Sequence, residues 1–441
     1  MRERRISRTL VRNIPNQIAY PMTADRTDQP PPSPRSFTIW AMLLALTAGF
    51  ALSNAYRTVA AIMASPLSAE LGLSPQALGV FAGSFHFMFG AMQLFMGIAM
   101  DLWGVRRTVL LASPLAIAGA ALSAMAPGYG TLLIGQALIG VGCAPAFLAC
   151  TVFIARHFPA ARFASVSGIA MAVGTPGMLF TGTPLAWLVQ STTWRAGFAV
   201  LAVMSLVAWI CIWRMVHEPA LPACAVARRE TIGEALARFR ALFLMPHTWG
   251  IVALGFVAYA AFISLRGLWL GPLLISRYDF SLVQSGNVAL VLSLVALCGP
   301  MVFGRIDPGP AHRRRWLLVC TLVFAALFAF IGFSHNAWAN MAAALAIGFM
   351  SGYLILQYAD VRSAYPAALT GRAMAAFTMA MFLGIAVMQW FTGLVASMAT
   401  ARSLEPFGPV MYSIAALLVL AALAFALLPS PPKASAAALQ S

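Results

Sequence analysis

Two arginines, Arg57 and Arg266, stand inside long apolar runs, and apolar residues continue past both. Each lies roughly 26 Å of helix beyond the start of its run, in the outer half of a membrane span. On insertion scales an arginine at mid-span costs about 2.5–3.5 kcal/mol, less nearer the interface. The carboxylates on the same side, Glu70, Asp279 and Glu405, fall in or near loops. Two cations without evident partners invite an anion, because guanidinium grips carboxylate or phosphate through two parallel N–H donors. The other reading is that each side chain snorkels to the interface or to backbone carbonyls. Polar neighbours accompany them. Asn54 and Tyr56 precede Arg57, Gln136 stands in the fourth run, Tyr259 and Ser264 precede Arg266, and Gln357 and Tyr358 lie in the tenth. Arg57, Arg266, Tyr56, Asn54, Gln136 and Gln357 form the candidate substrate-binding set.

Proton transfer has two further candidates. His86 lies near the middle of the second run, and histidine titrates nearest physiological pH. Asp360 stands near the inner end of the tenth run. A neutral histidine bonded between helices is the plainer reading of His86. No carboxylate sits in the middle of any run, which argues against a buried acid that binds cationic compounds. The six cysteines show no metal spacing, and five of them lie in apolar runs as small fillers. Nothing resembles a phosphate-binding glycine loop, a metal cluster or a nucleophile triad. No enzyme activity, cofactor or metal is expected.

These residues need a membrane to position them. The chain has 441 residues, 61% hydrophobic and 9% charged, with a mean hydropathy of +0.84. A soluble domain carries about a quarter of its residues as charged groups. Twelve spans of roughly 20 residues need about 240, which the apolar fraction supplies with little left for a soluble domain. Apolar runs near 37–62, 77–99, 108–126, 130–155, 164–189 and 197–216 precede a polar stretch. Six more follow near 249–276, 283–304, 316–334, 337–358, 373–397 and 408–428. The expected division is an Arg/Pro-rich disordered tail 1–36, a six-helix bundle 37–216, a linker 217–248, a second bundle 249–428 and a tail 429–441. The linker spaces Ile232, Leu236, Phe239, Leu242 and Phe243 as an interfacial helix does. Residues 1–36 lack the apolar core of a cleaved signal, and Met22 is an alternative start to Met1.

The net charge is +16, yet the bases cluster between apolar runs, which reads as topology and not as a nucleic-acid site. With both termini cytoplasmic, 23 of the 28 Lys and Arg residues fall on the inner side. The exceptions are Arg57, Arg195, Arg266, Arg277 and Arg402. That bias puts both ends inside, and the expected location is the plasma (bacterial inner) membrane.

The halves repeat. Phe158-Pro159-Ala160-Ala161 and Tyr365-Pro366-Ala367-Ala368 are offset by 207, Gly104 and Gly309 by 205, and Arg57 and Arg266 by 209. A duplicated six-helix unit predicts this, and paired repeats build a site at their interface. The segment Gly97-Ile98-Ala99-Met100-Asp101-Leu102-Trp103-Gly104-Val105-Arg106-Arg107 resembles the signature loop of the major facilitator superfamily. Trp194-Arg195-Ala196-Gly197-Phe198 is similar to the segment that precedes the sixth helix in that family. The resemblance runs from about residue 37 to 428. It implies an all-α fold of twelve transmembrane helices in two pseudo-symmetric six-helix bundles, a central cavity lined by helices one, four, seven and ten, and alternating access. The polar residues concentrate on those same four helices.

The resemblance makes Gly97, Asp101, Gly104, Arg106 and Arg107 a gating loop, in which Asp101 accepts hydrogen bonds from a helix N-terminus or an arginine. A purely topological anchor is the other reading. The second-half version, Gly304 to Arg315, is degenerate and holds two prolines, so a latch is not expected there. Gln136 stands where the family commonly has arginine, which removes charge from that helix. Gly174-Thr175-Pro176-Gly177 matches the antiporter motif only in part and reads as a kinked, closely packed helix.

The expected function is a secondary transporter, most simply a monomer, that moves a small anion by proton coupling or exchange. An exporter of drugs or metabolites with an apolar cavity is the alternative. A non-transporting sensor or assembly protein is the third.

Overall fold

A computed structural model describes residues 36–159, 162–217, 242–365 and 367–429. Among the described residues twelve helices are long and apolar enough to cross a membrane. They are α1 (Phe37–Leu71), α2 (Pro75–Met100), α3 (Leu102–Ala124), α4 (Tyr129–His157), α5 (Ser165–Ser191) and α6 (Trp194–Met215). The second six are α7 (Pro246–Tyr278), α8 (Leu282–Arg305), α9 (Pro310–Phe333), α10 (Ala337–Ala364), α11 (Leu369–Ala401) and α12 (Phe407–Leu427). There is no strand among the described residues. The two terminal tails and most of the linker, with its expected interfacial helix, lie outside them.

Several helices outrun the apolar runs that announced them. α1 continues to Leu71 and not to about 62, because Pro66 is accommodated inside the helix and the chain turns only at Gly72, with φ 62°. Ser74 then caps α2, accepting from the Ala77 amide at 3.2 Å. Hydropathy marks what lies in lipid, whereas a helix ends where its backbone finds a cap.

The duplication seen in the sequence is also a duplication of contacts. In the first bundle a Cβ at Gly177 of α5 would lie 1.7 Å from the Ala51 carbonyl oxygen of α1. In the second, a Cβ at Gly384 of α11 would lie 1.8 Å from the Phe256 carbonyl oxygen of α7. Small residues at such crossings let helix backbones touch, which is how helices associate where lipid removes the hydrophobic drive between them. Both neighbours are backbone and cannot swing away. Gly177→Val and Gly384→Val are each expected to destabilise the fold by about 3 kcal/mol, the upper end for overpacking. Melting of the purified variants in detergent, several degrees below the parent, is the measurement; an unchanged melting point would show that the crossings are looser than described.

At the end where α1 begins and α12 finishes, arginines bind helix carbonyls. Arg106 donates to the Trp213 carbonyl (3.0 Å) and Arg156 to that of Met100 (3.4 Å). Arg314 donates to the carbonyls of Phe425 and Leu428. Cations at helix C-termini meet both the unpaired carbonyls and the negative end of the helix dipole.

The loop between α8 and α9 departs from expectation. Gly104 (φ 81°, ψ 169°) and Gly309 (φ 75°, ψ 170°) share one backbone conformation that only glycine adopts freely, so the second loop folds as the first does despite its prolines. Arg313 binds Asp307 through two N–H donors, at 3.1 and 2.6 Å, and reaches the Ala359 carbonyl and Ser363 hydroxyl of α10 at 3.2 Å. The Arg313 guanidinium holds the Asp307 carboxyl below its usual range. The second-half loop is therefore tied to α10 through Arg313. Its Asp307 stands one residue from the position that the Gly104–Gly309 offset gives for Asp101.

The bundles meet in the half of the molecule away from the termini. There α2 packs on α11, α5 on α8, and α1 on α7. Gly79, Gly83 and Gly90 of α2 lie against Gln389 and Gly393, Ala386, and Phe382 and Leu383 of α11. Thr183 of α5 donates to Asn287 of α8 at 2.6 Å. This seam positions the groups that matter.

Candidate functional site

Arg57 is 7% exposed and Arg266 fully buried, so neither reaches a headgroup. Among the described residues neither has a carboxylate partner. Of the acids on their side, Glu70 is taken by Arg195 (2.5 Å) and by the Trp194 indole (2.6 Å), and Glu405 by Arg277. The Trp-Arg segment that opens α6 thus fastens the end of α1.

The Arg57 guanidinium lies over aromatic faces. Its central carbon is 4.7 Å from the Phe382 ring of α11, 4.9 Å from Phe89 of α2 and 6.0 Å from Phe50 of α1. Phe89 and Phe382 themselves touch across the seam, with centroids 4.3 Å apart. A cation over a ring is worth about 0.5–2 kcal/mol. An opposite charge at about 4 Å is worth about 4 kcal/mol at an effective dielectric constant of 20. An arriving anion therefore outcompetes the rings. The Arg57 Nε has no hydrogen-bond partner.

Arg266 sits in a π-helical turn, Leu265–Trp269, inside α7. Single π turns widen a helix locally and are frequent at functional sites. Its Nε donates to Ser293 Oγ of α8 (2.9 Å), its Nη2 crosses to the Met178 carbonyl of α5 (3.1 Å), and Nη1 is buried without a partner. Each arginine thus rests on the opposite bundle. The next residue, Gly267, brings this turn to α1: a Cβ there would be 3.0 Å from the Arg57 carbonyl oxygen. The two arginines stand at one helix crossing.

His86 is 1% exposed and lies in the α2 stripe that packs on α11, its ring stacked on Phe382 with centroids 6.5 Å apart. Nδ1 is 3.1 Å from the Ala82 carbonyl, which can only accept, so Nδ1 carries the proton and Nε2 is left without a partner. Arg57 and the Gln389 side chain are its polar surroundings. Tyr259 and Tyr358, half-buried, border the same region: Tyr259 meets Phe382 at 6.1 Å, and Tyr358 stands within electrostatic range of Arg57 and Tyr259.

The other sequence candidates divide. Gln136 and Gln357 are buried with unpartnered amide atoms, Nε2 in the first and both in the second. Asn54 is spent within its own bundle, donating to the Gly174 carbonyl at 3.0 Å. Tyr56 bonds Ser205 Oγ at 2.9 Å and lines a cavity of about 30 Å³ among α1, α3, α4 and α6. Successive residues on a helix point about 100° apart, so with Arg57 at the seam Tyr56 faces the bundle interior. These two do not join Arg57. Asp360, half-buried, lies with Arg313 and Arg314 at the end of α10, away from the seam. In the first-half loop, a Cβ at Gly97 would meet Leu148 at 3.9 Å, Arg107 lies exposed beside Trp103, and the Asp101 side chain lies outside the described residues.

Sequence reasoning missed Phe89, Phe382 and Gln389. Gln389 was findable, being the one amide in the apolar run 373–397.

Comparison with known proteins adds the following. The family model described as Major Facilitator Superfamily matches residues 42–388. The hexuronate transporter of Bacillus subtilis (strain 168) is 23% identical over 311 residues, covering 67% of this chain and 73% of that protein. The D-galactonate transporter of Escherichia coli O6:H1 is 22% identical over 398 residues, covering 83% and 90%. Among solved structures, a D-xylose–proton symporter matches with a TM-score of 0.71 at 16% identity, over 90% of this chain and 99% of that one, a likeness of fold.

Proposed function

This chain belongs to the Major Facilitator Superfamily and is a multi-pass membrane transporter of small solutes, not an enzyme; from that premise we propose that its cargo is a small organic anion of the sugar-acid type. The observation that carries this reading is the Arg57 guanidinium, buried at the bundle seam with aromatic rings where a carboxylate would be. Arg266 at the same crossing, with an unpartnered Nη1, offers a second donor from the other bundle. The names of two relatives support it, since hexuronate and galactonate are hydroxylated carboxylates. With the termini on the cytoplasmic side, the seam closes the outer face and the solute leaves inward.

The test is a stabilisation screen of the purified protein against hexuronates, aldonates, phosphates and sulfonates. A ligand at about 100 times its Kd adds about 2.7 kcal/mol to stability and raises the melting point. A hexuronate or aldonate is expected to score. A screen in which none stabilises while apolar compounds do would favour the exporter reading, for which the three phenylalanines around Arg57 are the supporting feature.

For coupling, His86 is the titratable side chain set into the helix contact between bundles, and in this reading it carries the proton of a proton–anion symport. Asp360, beside two arginines, is the lesser candidate. His86→Gln keeps a neutral hydrogen-bonding side chain and removes titration. In proteoliposomes it is expected to abolish acceleration of uptake by an inward proton gradient while leaving anion exchange intact. Gradient-driven uptake at the parent rate would place the proton elsewhere or make the protein an exchanger.

A further inference from the structure

We propose that Gln389 reads a hydroxyl group of the solute, its amide joining the anion site from the second bundle when the seam between α2 and α11 opens. The inference rests on the anion reading above and goes beyond it, because it assigns specificity among anions to a side chain that carries no charge.

Gln389 is fully buried, and neither Nε2 nor Oε1 has a hydrogen-bond partner. A primary amide buried with both functions unmet is rare, since each such group forfeits the hydrogen bonds it makes in water. A side chain needed only for packing here would be leucine or methionine. Its position is informative. The backbone carbonyl oxygen of Gln389 lies against Gly79, where a Cβ would stand 2.3 Å away, so the residue is at the tightest point of the α2–α11 contact. Its Nε2 is 3.8 Å from the Cβ position of Gly267, which itself abuts the Arg57 carbonyl. Its amide borders the His86 imidazole. Two helical turns earlier the same face carries Phe382, on which the Arg57 guanidinium rests. One turn later Thr392 accepts from the Trp269 indole at 2.9 Å, tying this face to the π turn that holds Arg266.

The chemistry follows from the group. An amide offers two donors and an acceptor in one plane, the complement of a hydroxyl that both gives and takes a hydrogen bond. It does not discriminate charge. Arg57 therefore selects for a carboxylate, and Gln389 selects for oxygen on the adjoining carbons. In the conformation described here the seam is shut over these groups; its opening exposes them together to the outer side. A site built to hydrogen-bond a hydroxyl rejects the analogue lacking it far more strongly than an apolar pocket rejects an added one.

The test is uptake into proteoliposomes of D-galactonate, D-glucuronate and the monodeoxy derivatives of each, by the parent, Gln389→Leu, Gln389→Asn and Arg57→Ala. The parent is expected to disfavour at least one deoxy analogue by tenfold or more. Gln389→Leu is expected to raise KM for the parent sugar acid about tenfold with little change in maximal rate, and to erase that discrimination. Gln389→Asn is expected to restore part of it. A leucine variant that lowers the maximal rate equally for all compounds, or that still discriminates as the parent does, overturns the hydroxyl assignment and leaves the anion reading standing. Full transport by Arg57→Ala, or no transport of either acid by the parent, overturns both.

Discussion

Arg57→Ala is expected to reduce uptake of a carboxylate solute at least about 100-fold, a loss of about 2.7 kcal/mol of binding. Truncating one member of a buried charge pair commonly costs 2–5 kcal/mol, and the Arg57 guanidinium lies over three ring faces that an anion can displace. Removing it leaves Phe89 and Phe382 in contact with each other, so the bundles should still close. The variant is expected to melt within a degree or two of the parent without ligand, and to lose the stabilisation that the anion gives. Arg57→Lys separates charge from shape: a lysine keeps the attraction but has neither the paired donors nor the flat face that lies on a ring, and an intermediate loss of about tenfold is expected. Uptake by Arg57→Ala at the parent rate would remove the anion assignment and leave the carrier fold untouched.

Gly79→Val should arrest the transport cycle while leaving the protein folded. A Cβ at Gly79 would lie 2.3 Å from the Gln389 carbonyl oxygen and 3.2 Å from the Gly393 Cα, and both are backbone atoms. These contacts belong to the opposite bundle, so the first bundle keeps its own core. The cost of about 3 kcal/mol or more therefore falls on the closed seam alone. A shift of that size moves the ratio of closed to open states about 150-fold. Net uptake is expected to fall in proportion, while the anion still binds from the side on which the seam opens. A cysteine at Ala386, which packs on Gly83 within the seam, reports the state. Ala386→Cys should be protected from a membrane-impermeant thiol reagent in the parent and labelled rapidly when combined with Gly79→Val. Equal protection in both would show that the seam tolerates the valine and that the glycines of α2 do not control closure.

The sequence by itself reached far into the architecture because a membrane simplifies the physics. Backbone groups in lipid must bond within the segment, so apolar length reports helices, and the internal offset near 207 reports the duplication. For the same reason Arg57 and Arg266 were legible: a charge in an apolar run is costly enough to need a cause. The same logic, carried to individual neighbours, failed. Tyr56 and Asn54 adjoin Arg57 in sequence yet bond Ser205 and Gly174 inside their own bundle. Gln389, 332 positions away, borders the crossing where Arg57 and Arg266 meet. Asp307 stands beside Gly309 in the repeat, yet its pairing with Arg313, which orders the loop, is a matter of the folded turn.

What the tertiary structure decided is pairing. Which acid neutralises which base, which aromatic ring lies under a guanidinium, and which of two neighbouring polar side chains faces the seam depend on helix rotation and crossing. Those are set by contacts between segments more than a hundred residues apart, among them Gly177 on Ala51 and Gly384 on Phe256. One-dimensional hydropathy records how deep a residue sits and carries no term for the direction in which it points.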